Sequence, residues 1–140
     1  DSYGLHKYLA ELIVMKYKKK SLVLRTSMIL GRKLKKGPIY DVIKGNVLYI
    51  TLNSKLQLIT TFAIVEVIKT LLNKSINNEV INIGGVGTFS FLKLRKFFKK
   101  EAQILSDAKK QIYEMNISKI KRIYPSLKTS EEYLREYLLG

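Results

Sequence analysis

The first chemistry on offer lies at the start of the chain, where Ser2-Tyr3-Gly4-Leu5-His6-Lys7 sets a phenol and an ammonium four positions apart. On an α-helix that spacing puts both side chains on one face, one turn from each other. A phenol with a pKa of about 10 is a poor base near neutrality, but an adjacent ammonium favours the phenolate and makes the pair a usable acid/base. The lysine can also donate to the ribose hydroxyls of a dinucleotide. Taken alone, the pair reads better as a solvated feature of a helix surface, so its meaning depends on its company. His6 points off the face that Tyr3 and Lys7 share and reads as a surface residue. Glu11 and Glu66 read as isolated carboxylates with structural roles. Gly84-Gly85-Val86-Gly87 follows a strand pattern without the spacing of a dinucleotide or phosphate loop, and reads as a simple loop.

The elements that must hold such a pair are legible from periodicity. Apolar Leu5, Tyr8, Leu9, Leu12 and Ile13 form one stripe and predict a helix over Tyr3 to Lys18. The run Leu22-Val23-Leu24 predicts a short strand buried on both faces, as in a parallel sheet, followed by a loop from Thr26 to Gly37. Ile39 to Ile43 reads as helical, Gly45-Asn46 as a turn, and Val47 to Leu52 and Leu56 to Ile59 as strands. Thr60 or Thr61 caps a helix carrying Ile64, Val65, Ile68, Leu71 and Leu72, and Val80 to Ile83 is the next strand. Ser90 is placed to cap a helix with Phe91, Leu94 and Phe98, and Ile117 with Ile120 marks a short helical stretch. Beyond Pro125, Thr129 and Glu132 form a capping-box pattern ahead of a last helix carrying Tyr133, Leu134, Tyr137 and Leu138. Helices alternating with strands give the α/β class.

Composition bounds the function. The chain has 140 residues, 46% of them apolar and 26% charged, as expected of a soluble globular domain. It carries no apolar run of membrane-spanning length and no secretory signal pattern, which makes the expected location cytoplasmic. With no cysteine and one histidine, neither a disulfide framework nor a metal centre is expected. The formal charge of +15 allows attraction to any polyanion. Its sources, however, are dispersed clusters at Lys16 to Lys20, Lys33 to Lys36 and Lys99-Lys100, without interleaved aromatic motifs, so they read as solvated faces and nucleic acid is not the expected partner.

The company that the Tyr3 and Lys7 pair needs comes from further motifs. Ser2-Tyr3-Gly4, Lys7 and Ala10-Glu11, followed by Leu24-Arg25-Thr26-Ser27-Met28-Ile29-Leu30-Gly31, resemble the active-site helix and the next strand-and-glycine segment of the extended short-chain dehydrogenase/reductase family, near its dTDP-4-dehydrorhamnose reductase-like members. The helix after Thr60, the segment Val80-Ile81-Asn82-Ile83-Gly84-Gly85, the helix opened by Ser90 and the stretch Asn116-Ile117-Ser118-Lys119-Ile120 follow in the order this family has them. The resemblance implies a Rossmann-type parallel sheet interleaved with a small substrate-binding lobe. Residues 1–31 and 57–85 would complete the sheet, and 32–56 and 86–140 would form the lobe.

It also implies roles. Tyr3 would be the acid/base, Lys7 would tune it and hold the nicotinamide ribose, Thr26 would meet the nicotinamide end, and Ser27 and Met28 would face the substrate. Met28 stands where epimerases of this family place an asparagine and its reductases a tryptophan, and a thioether cannot replace amide hydrogen bonding. The implied activity is NAD- or NADP-dependent epimerisation, dehydration or reduction of a sugar nucleotide. The family's glycine-rich phosphate loop and its catalytic Ser or Thr have no counterpart among these 140 residues, so the resemblance is to a C-terminal portion. The 140 residues alone are therefore expected to bind NAD(P) negligibly, to be inactive, and to self-associate or pair with an N-terminal half. A different class of reading is a non-catalytic binding module that uses the same fold and its basic surfaces for nucleic acid or another acidic partner.

Overall fold

The computed structural model describes residues 2–98 and 101–140, so the Lys99-Lys100 cluster lies outside the described residues. The chain is an α/β protein with parallel strand pairs. Helix α1 (Ser2–Tyr17) leads into β1 (Leu22–Thr26), which pairs in parallel with β6 (Glu79–Ile83) from Leu22 opposite Glu79 to Thr26 opposite Ile83. At Ser27 the chain changes partner. The Ser27 N–H donates to Ile83 O at 2.9 Å and the Met28 N–H to Gln57 O at 3.2 Å. From there β2 (Met28–Leu30) runs parallel to β5 (Leu58–Thr60). The expected loop from Thr26 to Gly37 therefore contains a strand, because a three-residue segment with a ready-made neighbour gains its pairing from tertiary structure rather than from its own pattern.

Thr60 caps α3 (Thr61–Asn73): its backbone is extended and its hydroxyl accepts from Ala63 N at 3.2 Å. The helix lays Ala63, Val67 and Leu71 onto β5 and β6, forming a core with Ile59, Ile81, Ile83, Ile120, Leu127 and Tyr133. A second core gathers Leu30, Ile39, Val42, Leu48, Ile50, Leu56, Leu58, Phe89, Phe91, Leu94 and Leu134. It is supplied by α2 (Pro38–Lys44), β3 (Leu48–Ile50), β4 (Lys55–Leu56), β7 (Phe89–Ser90) and α4 (Leu94–Phe98). Proline at the first turn of α2 and left-handed Gly45 after its end, at φ 74°, set the limits of that helix.

The expected strand over Leu56 to Ile59 is divided at Gln57, where β4 ends and β5 begins. β4 lies between antiparallel β7 and parallel β9 (Ile112–Tyr113), and β3 pairs with β8 (Ile104–Lys109). The sequence pattern did not reveal β8 or β9. Ser90 precedes a 3-10 turn over Phe91–Lys93, with no capping bond from its side chain, and α4 follows. Next come α5 (Ser118–Ile123) and α6 (Ser130–Leu139), the latter opened by the full Thr129–Glu132 capping box.

Two expectations about the first elements need correction. The stripe on α1 is exposed along its length, and no residue of that helix is buried. Strand β1 is half-buried rather than enclosed on both faces, since β6 is its one strand partner among the described residues. No helix among the described residues is long and apolar enough to cross a membrane.

Candidate active site

Tyr3 stands on the first turn of α1 with 67% of its surface exposed, and the Lys7 Nζ lies 5.7 Å from the centroid of its ring. The two side chains thus share a face, as their spacing requires. Glu11 on α1 and Arg25 on β1 join the two elements. Arg25 donates through Nε to Glu11 Oε2 at 2.9 Å and through Nη2 to Oε1 at 2.7 Å. Glu11 is therefore not the isolated carboxylate its sequence context suggests. Its hydrogen bond raises the pKa of Arg25, with burial acting the other way. Glu66 has a partner too, in Lys69 one turn on at 2.9 Å. His6 is exposed.

Thr26 ends β1, Ser27 occupies the switch between strand partners, and Met28 opens β2, so consecutive residues deliver three side chains to one place. Tyr3, Thr26, Ser27 and Met28 all line a single cavity of about 1100 Å³. Lys7 stands beside Tyr3, outside the cavity lining. The Ser27 hydroxyl is fully shielded from solvent yet has no hydrogen-bond partner among the described residues. A buried hydroxyl without a partner is costly. The Met28 side chain is directed toward Gly37, where an added Cβ would lie 3.1 Å from its Cε, and Gly37 itself has a φ of 100° that excludes other residues.

The opposite walls escaped the sequence reading. Tyr40, Tyr49 and Tyr113 bring phenols to the cavity, Lys35 and Lys36 bring charge, and buried Gln57 lies in its wall. Burial, then Asp41 and Tyr113, push the Tyr49 phenol above its ordinary pKa, so it is held as a neutral donor. One signal was available for Tyr49: it alternates with buried Leu48 and Ile50, which turns it to the face opposite the core. A lone polar Gln57 inside an apolar run was another.

The glycine turn after β6 is closed off from within. A Cβ at Gly84 would lie 2.6 Å from Gln57 Cδ, and one at Gly85 would lie 2.5 Å from Leu58 O and 2.8 Å from Ser130 N. These glycines let parts of the same chain approach, which agrees with a simple loop and not a phosphate cradle.

The sequence matches no protein-family model and no curated protein. Solved structures do match. A UDP-galactose 4-epimerase superposes with a TM-score of 0.76 at 19% identity, over 97% of this chain and 52% of its own. A dTDP-glucose 4,6-dehydratase from Bacillus anthracis, solved with NAD, gives 0.75 at 19% identity, over 93% and 48%. The Bordetella bronchiseptica enzyme WbmG, solved with NAD and UDP, gives 0.75 at 16% identity, over 99% and 48%. The chain spans about half the length of these proteins, and what it shares with that half is the Rossmann-like α/β fold of the nucleotide-sugar epimerases and dehydratases.

Proposed function

We propose that this chain is the substrate-side portion of an NAD(P)-dependent sugar-nucleotide epimerase, dehydratase or reductase of the extended short-chain dehydrogenase kind. The observation that carries the reading is the convergence of Tyr3, Thr26, Ser27 and Met28 on one cavity, with Lys7 over the Tyr3 ring. The fold it shares with enzymes solved with NAD, UDP or both supports it. In the same reading, residues 1–31 and 57–85 belong to the dinucleotide-binding domain, and 32–56 and 86–140 to the substrate lobe.

The residues fit the nicotinamide end of a dinucleotide. Lys7 is an exposed ammonium able to donate to ribose hydroxyls, and Thr26 lines the cavity together with Tyr3. When bound, the nicotinamide supplies a centre that gives or takes hydride. The chain's own part is proton handling and positioning. The Tyr3 hydroxyl exchanges a proton with the oxygen on the reacting sugar carbon, while Lys7 stabilises the phenolate that forms when that proton is given up. Tyr49 and Tyr113 donate to the polar edge of the substrate, Met28 packs against its apolar surface, and Lys35 and Lys36 meet its diphosphate charge.

The test is steady-state kinetics beside cofactor titration, in the protein that joins this chain to a nucleotide-binding half. Tyr3→Phe should abolish turnover with cofactor affinity retained, and Lys7→Met should impair both. A non-catalytic module would instead show no turnover with any sugar nucleotide and salt-resistant binding to a polyanion.

A further inference from the structure

Gln57 is 2% exposed, and its hydrogen bonds reach three separate segments. Its Nε2 donates to Gly85 O at 2.8 Å and, at 3.5 Å, to Met115 O, while its Oε1 accepts from Met115 N at 3.0 Å. Its backbone is engaged as well, donating to Tyr113 O at 2.9 Å and accepting from Met28 N at 3.2 Å. One residue therefore bonds β2, the turn after β6, and the segment from β9 to Met115. Met28, Tyr113 and Met115 all line the cavity that holds Tyr3.

The arrangement is specific to a carboxamide. A donor must face the Gly85 carbonyl and an acceptor must face the Met115 amide, which excludes a carboxylate, an ammonium or an apolar side chain of the same length. The neighbouring glycine is matched to it: a Cβ at Gly84 would lie 2.6, 2.8 and 2.9 Å from the Cδ, Oε1 and Nε2 of Gln57. Position 84 thus has to be glycine for the amide group to reach both partners.

We propose that Gln57 is a positioning residue that clasps the Tyr113–Met115 wall of the cavity to β2 and to the turn after β6, and so fixes the width of the site facing Tyr3. The clasp itself stands on the hydrogen bonds above; only the identity of the ligand that feels it rests on the sugar-nucleotide reading.

Amide hydrogen exchange resolved at single residues tests it. Gln57→Met keeps the length and apolar stem of the side chain and removes the three bonds, so the Met115 amide should exchange at least about tenfold faster, the loss expected when a sheltered hydrogen bond is broken. Val67 on α3, in the other core, should change less than about twofold. Gly84→Ala displaces the same carboxamide from the other side. It should speed Met115 exchange by a similar factor, and combining both changes should add little. It also decides the matter if Gln57→Met does not fold. Met115 protection unchanged in either folded variant overturns the clasp. UDP, used as the ligand probe, should bind Gln57→Met at least about tenfold more weakly than the parent protein, and equal affinity would also overturn the role in the site. Failure of the parent protein itself to take up UDP would count against the sugar-nucleotide reading, and the exchange result would still decide the clasp.

Discussion

Breaking the Arg25–Glu11 pair should loosen the helix that carries Tyr3 from the strand that carries Thr26. Glu11 sits two turns along α1 from Tyr3, and Arg25 immediately precedes Thr26, so the pair is the short path between them. Exposed ion pairs contribute about 0.2–1 kcal/mol. A bidentate arrangement with charged partners on both sides strengthens this one, and the Glu11 side chain is only 12% exposed. The Arg25 side chain, at 49%, remains screened by water, which discounts the gain. The balance is a coupling of about 1 kcal/mol, equivalent to a factor of about five in the opening of α1 from β1.

The assay is a double-mutant cycle on Arg25→Met and Glu11→Gln, read by denaturant unfolding and by amide exchange along α1. The coupling should shrink as salt approaches about 1 M, where screening reaches to within roughly 3 Å. On the proposed reading, turnover and cofactor affinity should both fall in the two single variants, since Tyr3 and Lys7 ride on the same helix. A coupling under about 0.2 kcal/mol, or one indifferent to salt, would refute the view that this pair orients the helix carrying Tyr3.

Thr129→Ala removes the acceptor for Glu132 N and should cost about 1 kcal/mol in chemical denaturation. The hydrogen bonds from Thr129 lower the pKa of Glu132 in the folded state, so its contribution is present above the ordinary carboxylate value and is lost as pH falls through the lowered one. An acid titration of stability should show that loss in the parent chain and not in Glu132→Gln. Tyr49 behaves in the opposite sense: its raised folded pKa makes its contribution complete below the ordinary phenol value and lost as pH rises through the raised one. Burial raises the Tyr133 phenol as well, so absorbance near 295 nm should show two late-titrating tyrosines, one of which is lost in Tyr49→Phe. Leu71→Ala empties a fully buried position in the core beneath α3 and should destabilise the fold by about 2–5 kcal/mol by calorimetry.

The parts of this fold that were legible in the sequence are those specified by local chemistry. Thr60 and Thr129 each announce a helix because a side-chain oxygen capping the first turn is a bond within four residues. Val80 to Ile83 reads as a strand because buried Ile81 and Ile83 alternate with half-buried Val80 and Asn82. Segments defined by distant partners were not legible. β2 is three residues whose strand character comes from β5, thirty positions away. β8 interrupts Ile104-Leu105 with Ser106 and Asp107 and stays mostly exposed, so no alternation reveals it.

The site divides along the same line. Tyr3 and Lys7 are a local pair, and Thr26 to Met28 are consecutive, so one stretch of sequence displays each group. Tyr49, Tyr113 and Gln57 reach the cavity through β3, β4 and β9, whose pairing is long-range, and nothing near them in sequence marks them as neighbours of Tyr3. The stripe on α1 shows the converse error. Periodicity gives the face on which apolar residues fall and says nothing of what covers it.

The most direct test of the central claim is the effect of Tyr3→Phe on turnover, measured with a panel of sugar nucleotides and with NAD and NADP, alongside calorimetric titration of cofactor and UDP. The change removes one oxygen and leaves the aromatic ring that Lys7 packs against. Loss of a positioned acid/base costs about 10²–10⁴ in rate. Turnover should fall by at least that factor, with dissociation constants for cofactor and UDP within about twofold of the parent protein. Turnover retained in Tyr3→Phe would contradict it and remove Tyr3 from the chemistry.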